Sequence, residues 1–365
     1  MIVKNESDVI QRCLASVKSL IDHWVIVDTG SDDGTQEIIK DYLKDIPGEL
    51  YERPWVDFAH NRNEAASLAH GKGDYLLFID ADDRLVFSEE FTRPSLEKDV
   101  YFIVQKEGDE NFLYAENRIV FLIKNDARFE WQGVIHESIC FKNETVFAEL
   151  VSCVYNQYIH DGNRSKDPLR AQKDIALLKK GLLEEPGDLR YLFFLGRAYF
   201  DIKDYASALP YLEKRAELAG GPQENYQTLL YIALAHKLLG AEDALIIHSF
   251  SGAYLYRPTR AEPLYELAAH LIKKKRFFEA YLVCIHALTL TFPKDILYIE
   301  PWVYEWGILL QLFSAASQLH FTCEQARTAL SLLIHNPKLP SRVIFDFKLK
   351  EAAQTHGVQL CQQSA

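Results

Sequence analysis

Residues 75–85 read YLLFIDADDRL: an apolar run of strand type stops abruptly in three acids, Asp80, Asp82 and Asp83. Carboxylates this close repel one another wherever water screens them poorly. A divalent cation removes that cost. Acids one residue apart offer the hard oxygen ligands that Mg2+ or Mn2+ take while keeping positions open for phosphate oxygens. An isolated D-x-D triplet is common and says little, so its meaning depends on the fold around it. The ordinary alternative is a strand end running into a solvated turn.

Working outward, residues 1 to about 160 alternate strand-like and helical stretches. SDVIQRCLASVKSL (7–20) carries Val9, Ile10, Cys13, Leu14, Val17 and Leu20 at helical spacing, with Ser7 as the expected N-cap. WVIVDTG (24–30) reads as a strand closing in a turn, GTQEIIKDYL (34–43) as a helix, and ELYERPW (49–55) as extended chain. AHNRNEAASLAHGKG (59–73) reads as a helix closed by glycines, and DYLLFID (74–80) as a strand. Such β-α-β-α repetition implies a mostly parallel sheet covered by helices, with ligands at the carboxyl ends of its strands. After Asp83 the strand-like runs DVYFIVQK (99–106), RIVFLIK (118–124) and TVFAELVSCVYNQYI (145–159) lack regular helices between them, so the sheet gains mixed members. Asp28 ends the second strand. Beside it, Ser31 and Asp32 are ordinary turn or helix-capping residues as well as site candidates.

From about Lys166 the pattern is helical to the end. Leu195, Gly196, Tyr199, Ala208 and Leu212 fall where a tetratricopeptide-type helix-turn-helix repeat wants small and large packing residues. The offsets recur at Ala268, Ala280 and Ala287, around Ala233 and Ala244, and at Ser314, Ala326 and Leu330. Stacked pairs of this kind form a solenoid. The expected domains are therefore 1–162, α/β, and 163–365, all-α. Tyr191, Phe194, Tyr199, Tyr226 and Tyr231 read either as a concave binding face or as inter-helix packing.

The formal charge of −12 argues against non-specific binding to nucleic acid or an anionic membrane. Six scattered cysteines without a C-x-x-C pair fit a reducing compartment. The opening MIVKNESDVI has acids and no apolar core, so no signal peptide is expected. Polar residues interrupt 306–323, the best candidate span, so no transmembrane segment is expected and the protein reads as cytoplasmic.

Four blocks, MIVKNE (1–6), IVDTGSDDGT (26–35), PWVDFAHNRNEAA (54–66) and GDYLLFIDADD (73–83), resemble in order and spacing the family-2 glycosyltransferases with the GT-A fold. FEWQGVIHES (129–138) and YIHDG (158–162) look like that family's acceptor-side and closing segments. AYLYRPTRAEPLY (253–265) with FPKDILYIEPWVYEW (292–306) looks like a subgroup with a C-terminal tetratricopeptide region. The resemblance implies a GT-A, Rossmann-like domain with a mixed sheet, followed by a tetratricopeptide-like domain. It further implies an inverting, metal-dependent transfer from a UDP-sugar to an acceptor hydroxyl of a glycan, lipid-linked sugar or protein, the acceptor held by the helical repeats.

By position, the backbone from Val3 to Asn5 and the side chain of Glu6 would face the base or ribose, and Asp28 would accept a hydrogen bond from uracil. Arg62 would neutralise the pyrophosphate; its alternative is a helix-surface arginine. Asp80 would hold the ribose or metal-bound water, with Ala81 beside it in the nucleotide-sugar site. Asp82 and His160 would ligate Mn2+ or Mg2+, while Asp83 would assist or orient a loop. Glu137 is the expected catalytic base, with His136 an alternative base or ligand. The chain departs from the family in lacking a clear Glu-Asp pair before the domain end. Its first strand is expected to be short, or to draw on residues ahead of Met1. Two rival readings are a sugar-phosphate nucleotidyltransferase, disfavoured because VKNESD (3–8) lacks a glycine- and lysine-rich phosphate loop, and a non-catalytic scaffold with a decayed transferase half.

Overall fold

The structure is a computed structural model; it describes all residues except 94, 109–112, 127, 143, 150–153, 219, 320–322 and 341–365. The chain divides into two compact units, Met1–Glu107 with Asn117–Ile202, and Gly108–Glu116 with Lys203–Ala365.

The first begins with β1 (Ile2–Val3), α1 (Ile10–Val17), β2 (Trp24–Asp28), α2 (Thr35–Tyr42), β3 (Gly48–Glu52), α3 (Phe58–Leu68) and β4 (Tyr75–Leu77). Strands β5 (Arg84–Phe87), β6 (Val100–Gly108), β7 (Leu113–Lys124), β8 (Phe129–Gln132), β9 (Ser138–Phe141), β10 (Phe147–Glu149) and β11 (Val154–Tyr158) follow. Helices α4 (Asn163–Lys166), α5 (Arg170–Glu184) and α6 (Leu189–Asp201) close it.

In place of one continuous sheet there are three among the described residues. Strands β1, β2 and β3 pair in parallel; a mixed sheet runs β4-β7-β6-β11-β5, with β10 also on β6; β8 and β9 form an antiparallel hairpin. An apolar cavity of about 460 Å3 is lined by both Trp24–Ile26 and Tyr75–Ile79. Helix α1 spans the two larger sheets through its i, i+4 rows. Ile10 and Leu14 pack with Val3, Ile26 and Ile39 on one side. Cys13 and Val17 pack with Ile79, Leu85, Ile103 and Phe121 on the other. Gly48 is required where β3 crosses the Trp24 ring, since a Cβ there would lie 2.3 Å from it.

Several local expectations change. Ser7 does not cap α1, which starts at Ile10 after Val9; the Ser7 amide instead donates to Asp33. The strand expected over 74–80 is β-paired only at Tyr75–Leu77. The run expected over 145–159 appears as β10 and β11, both parallel to β6, with 150–153 outside the described residues. The helical stretch from 163 to Asp201 clusters with the first compact unit, which runs to Ile202. The reason is packing. Tyr191 Oη accepts from the Val134 amide at 3.1 Å, and the Phe194 ring stacks on His136 with centroids 4.1 Å apart.

The second unit contains α7 (Tyr205–Glu217), α8 (Pro222–Leu239), α9 (Asp243–Tyr256), α10 (Glu262–Lys273), α11 (Phe277–Ala287), a π-helical turn (Val303–Gly307) leading into α12 (Ile308–Ala316), and α13 (Cys323–Ile334). From α7 onward each helix packs on the next. The small residues expected at the helix contacts are buried at Ala208, Ala233, Ala268, Ala280 and Ala326, but Ala244 is exposed and Ile246 with Phe250 makes that contact. The aromatics weighed as a binding face are mostly core: Tyr191, Phe194 and Tyr226 are buried. Among the described residues, no helix is long and apolar enough to cross a membrane. His320 falls outside the described residues, as do Cys153 and Cys361.

One ionic hub fixes the middle of this unit. Arg260, fully buried, donates to both oxygens of Glu262, to Asp295 at 3.2 Å, and to the carbonyls of Leu297 and Tyr298, and lies over the Tyr226 ring at 4.5 Å. Every charge here is answered, which is the condition for keeping ions out of water. Replacing Arg260 with Met leaves the buried Glu262 without its cation, while Asp295 keeps Arg257. The expected cost is about 3–5 kcal/mol, read as a lowered urea midpoint for loss of helical circular dichroism.

Candidate functional site

The motif AHNRNEA (59–65) shows why α3 is the anchor of the site. It is capped by Asp57, whose Oδ1 accepts from the His60 amide at 2.7 Å. Four consecutive side chains then serve four directions. Asn61 accepts from the Val56 amide and donates to the Pro54 carbonyl, holding the preceding loop. Asn63 exchanges two 2.8 Å hydrogen bonds with the backbone of Trp131, fixing β8 to the helix. Glu64 pairs with Arg53. Arg62 points inward between two acids: its Nη2 lies 2.7 Å from Asp80 Oδ1, its Nε pairs with Glu137 Oε1, and its guanidinium sits 5.0 Å over the Trp131 ring. Burial alone would lower its pKa; the two carboxylates reverse this, and Arg62 is held cationic.

Asp80, Asp82 and Asp83 leave the end of β4 in three directions. Asp80 meets Arg62. Asp82 is half-buried beside Gly162, whose amide bonds to it, and its pKa is raised by burial and then by Asp80. Gly162 approaches so closely that a Cβ would stand 2.7 Å from Asp82 Oδ2, so only glycine fits. Asp83 is 4% exposed; Asn156 Nδ2 donates to its Oδ2 at 2.6 Å while Oδ1 is buried without a partner among the described residues. Burial, reinforced by Asp80, pushes Asp83 up to about 8. It therefore sits as a buried, largely protonated acid next to Asn156 and not as the first residue of a solvated loop. Ala81 is buried among Val3, Ile10 and Leu14, so its side chain is core.

The loops after β1 and β2 are laced together. Asn5, with φ 56°, donates its amide to Ser31 Oγ and accepts from the Asp32 amide through Oδ1. The Glu6 amide donates to Thr35 Oγ1. Asp28 is fully buried: Oδ1 accepts from the Gly30 and Ser31 amides, both at 2.9 Å, and Oδ2 has no partner among the described residues. The Val3 carbonyl is taken by the amide and hydroxyl of Thr29. Glu6 is pushed up to about 7, chiefly by desolvation with Asp82 adding to it, although the Asn163 amide donates to its Oε2 at 3.1 Å.

The two histidines stand apart from these acids. His160 Nε2 lies 2.8 Å from Glu107 Oε1. His136, at φ 53°, stacks on Phe194 while its carbonyl accepts from Arg190. Burial, and then the charges of Arg197, Arg164, Arg170 and Arg190, push its pKa down to about 3, so its ring is neutral at pH 7. Among the described residues, no three or more His, Cys, Asp or Glu side chains converge as for a metal ion. Sequence reasoning passed over Arg12 and Asn156, which touch Asp82 and Asp83, and Asp161, which pairs with Arg12. Arg12 and Asn156 lie in no recognisable motif, and only the YIHDG segment pointed toward Asp161.

With this geometry in view, the comparisons with known proteins are specific. Residues 1–97 match the family model of glycosyl transferase family 2. The chain is similar to a TPR repeat-containing protein of Synechococcus elongatus, 27% identical over 264 residues covering 67% of this chain and 63% of that protein. It is also similar to the SPbeta prophage-derived glycosyltransferase SunS of Bacillus subtilis, 28% identical over 227 residues covering 59% of this chain and 51% of that one. The chain thus spans between half and two thirds of the length of these relatives. Among solved structures, S. aureus TarS 1–349 in complex with UDP-GlcNAc aligns with 100% of this chain and 97% of its own at 13% identity and a TM-score of 0.31.

Asp83 makes the fold itself sensitive to pH. Its folded pKa lies above the ordinary carboxyl value, so the native state holds a proton that the unfolded chain has released. That stabilisation is complete below the unfolded pKa and is lost as pH rises through about 8. The stability of the first unit is expected to fall between about pH 4 and pH 8 and to level off above it, and Asp83→Asn is expected to flatten that fall. Urea denaturation followed by tryptophan fluorescence across this pH range checks it.

Proposed function

We propose that this protein is a glycosyltransferase that moves a sugar from a UDP-sugar to an acceptor hydroxyl with inversion, using a divalent cation. One observation carries the reading. Arg62 and the acids Asp80 and Asp82 sit together at the carboxyl end of β4, inside the segment that matches the family model.

The donor set suits a hard divalent cation. Asp82 is desolvated and raised by Asp80, the state a bound cation relieves, and carboxylate oxygens are the ligands such ions take. Asp82 would be the direct ligand. His160, the other expected ligand, has its Nε2 held by Glu107 and is not brought to Asp82 among the described residues. Bound there, Mn2+ or Mg2+ supplies Lewis-acid stabilisation to the departing diphosphate. Arg62 supplies a fixed positive charge for the same oxygens and is held in place by Asp80 and Glu137. The partnerless Oδ2 of Asp28 suits the ring N–H of uracil. Asn5 and Glu6 line the nucleotide side.

In the transfer, the acceptor oxygen attacks the anomeric carbon, the bond to the diphosphate breaks, and the hydroxyl proton passes to a carboxylate. Glu137 is that base in this reading. His136 is a poor candidate because an imidazole pushed down to about 3 does not hold a proton near neutral pH. The acceptor is a glycan, lipid-linked sugar or protein, and the helical unit is its holder.

A thermal-shift panel of UDP- and GDP-sugars with and without Mn2+ tests the assignment. A UDP compound at 100 times its Kd is expected to stabilise the fold by about 2.7 kcal/mol in a Mn2+-dependent way, and Asp82→Asn is expected to abolish the shift and the hydrolysis of the donor. No response to any UDP compound, or an equal response in the variant, would overturn the proposal.

A further inference from the structure

The acids at the end of β4 are gripped by a segment that lies some eighty residues later in the chain. Arg12, on α1, makes a two-pronged pair with Asp161: Nη1 to Oδ2 at 2.6 Å and Nη2 to Oδ1 at 2.7 Å. The same Nη2 donates to the Asp82 carbonyl at 2.8 Å. The next residue, Gly162, presses on the Asp82 carboxylate. Then the Asn163 amide donates to Glu6 Oε2 at 3.1 Å, and Lys166 Nζ donates to Asp8 Oδ2 at 2.8 Å. Four successive attachments therefore run along residues 161–166, each to Asp82 or to a charged side chain at the start of α1.

We propose that Arg12 and Asp161 are positioning residues that strap residues 161–166 across the donor site, setting the backbone and carboxylate of Asp82 together. This rests on the glycosyltransferase reading for its consequence, but not for its geometry. The division of labour is physical. A guanidinium fork matches a carboxylate in one plane, so it fixes direction as well as distance, which an ammonium does not. Arg12 Nη2 also donates to a main-chain oxygen, so the pair registers α1, the 161–166 segment and the Asp82 backbone against one another. Glycine at 162 then lets the main chain reach the Asp82 carboxylate.

Exposure separates this role from a stabilising one. The Arg12 and Asp161 side chains are 32% and 40% exposed, and an ion pair that open to water contributes little to global stability. Its effect should appear locally, in the segment it holds, and in ligand affinity.

The test uses the full-length chain with Arg12→Lys and Asp161→Asn. In the absence of ligand, hydrogen exchange of the Gly162 and Asn163 amides is expected to be about tenfold faster in both variants, with the thermal midpoint nearly unchanged. The Kd for UDP with Mn2+ is expected to weaken by about tenfold, the lower end of what loss of a supporting partner costs a metal site. Exchange rates equal to wild type in both variants would overturn the strap. Faster exchange in step with a fall in the thermal midpoint would also overturn it, since that would mark a general structural role. If wild type itself fails to bind UDP with Mn2+, the glycosyltransferase reading falls, while the ligand-free exchange measurement still decides the strap.

Discussion

A guanidinium only 11% exposed cannot stand in a protein without carboxylates around it, and Arg62 has two, one from the end of β4 and one from the turn between β8 and β9. Those acids come from parts of the chain that share no local order. Satisfying one cation therefore brings α3, the mixed sheet and the β8–β9 hairpin to one point. Asn63 and Trp131 reinforce the same junction with main-chain hydrogen bonds. One buried cation thus assembles its own surroundings.

Around this junction the acids are sorted by what each can reach. Asp80 is neutralised by Arg62. Asp82 is backed by the Gly162 amide and remains raised. Asp83 has only Asn156, and burial keeps its proton on. Three carboxylates within four residues thus occupy three electrostatic states, because the backbone turns between them and each side chain enters a different environment. Close acids would otherwise titrate against one another.

Much of the architecture is legible from residue type and spacing. The alternation up to residue 80, the i, i+4 rows on α1, and the alanines at helix contacts follow local rules, and the strand end at Asp80 to Asp83 stood out as a site. Ala244 shows where such rules stop: its position fits the repeat, yet Ile246 and Phe250 make the contact. The aromatics on α6 and α8 read equally well as a binding face or as core, and packing resolved them as core at Tyr191, Phe194 and Tyr226. His136 carried a plausible catalytic role as a residue type. Burial, and then the surrounding arginines, removed its proton-accepting power at neutral pH.

The sequence by itself determined the elements, the α/β-then-helical order, and the acids that end β4, because hydrophobic period and turn chemistry act over a few residues. Only the tertiary structure decided which acid meets which partner. Arg12 is 149 positions from Asp161, and Asn156 is 73 from Asp83. Ionic and hydrogen-bonded pairing depends on distance in space, orientation and the dielectric around the pair. None of these is a local property of the chain, so YLLFIDADDRL announces a site while the folded sheets and helix α1 assign its parts.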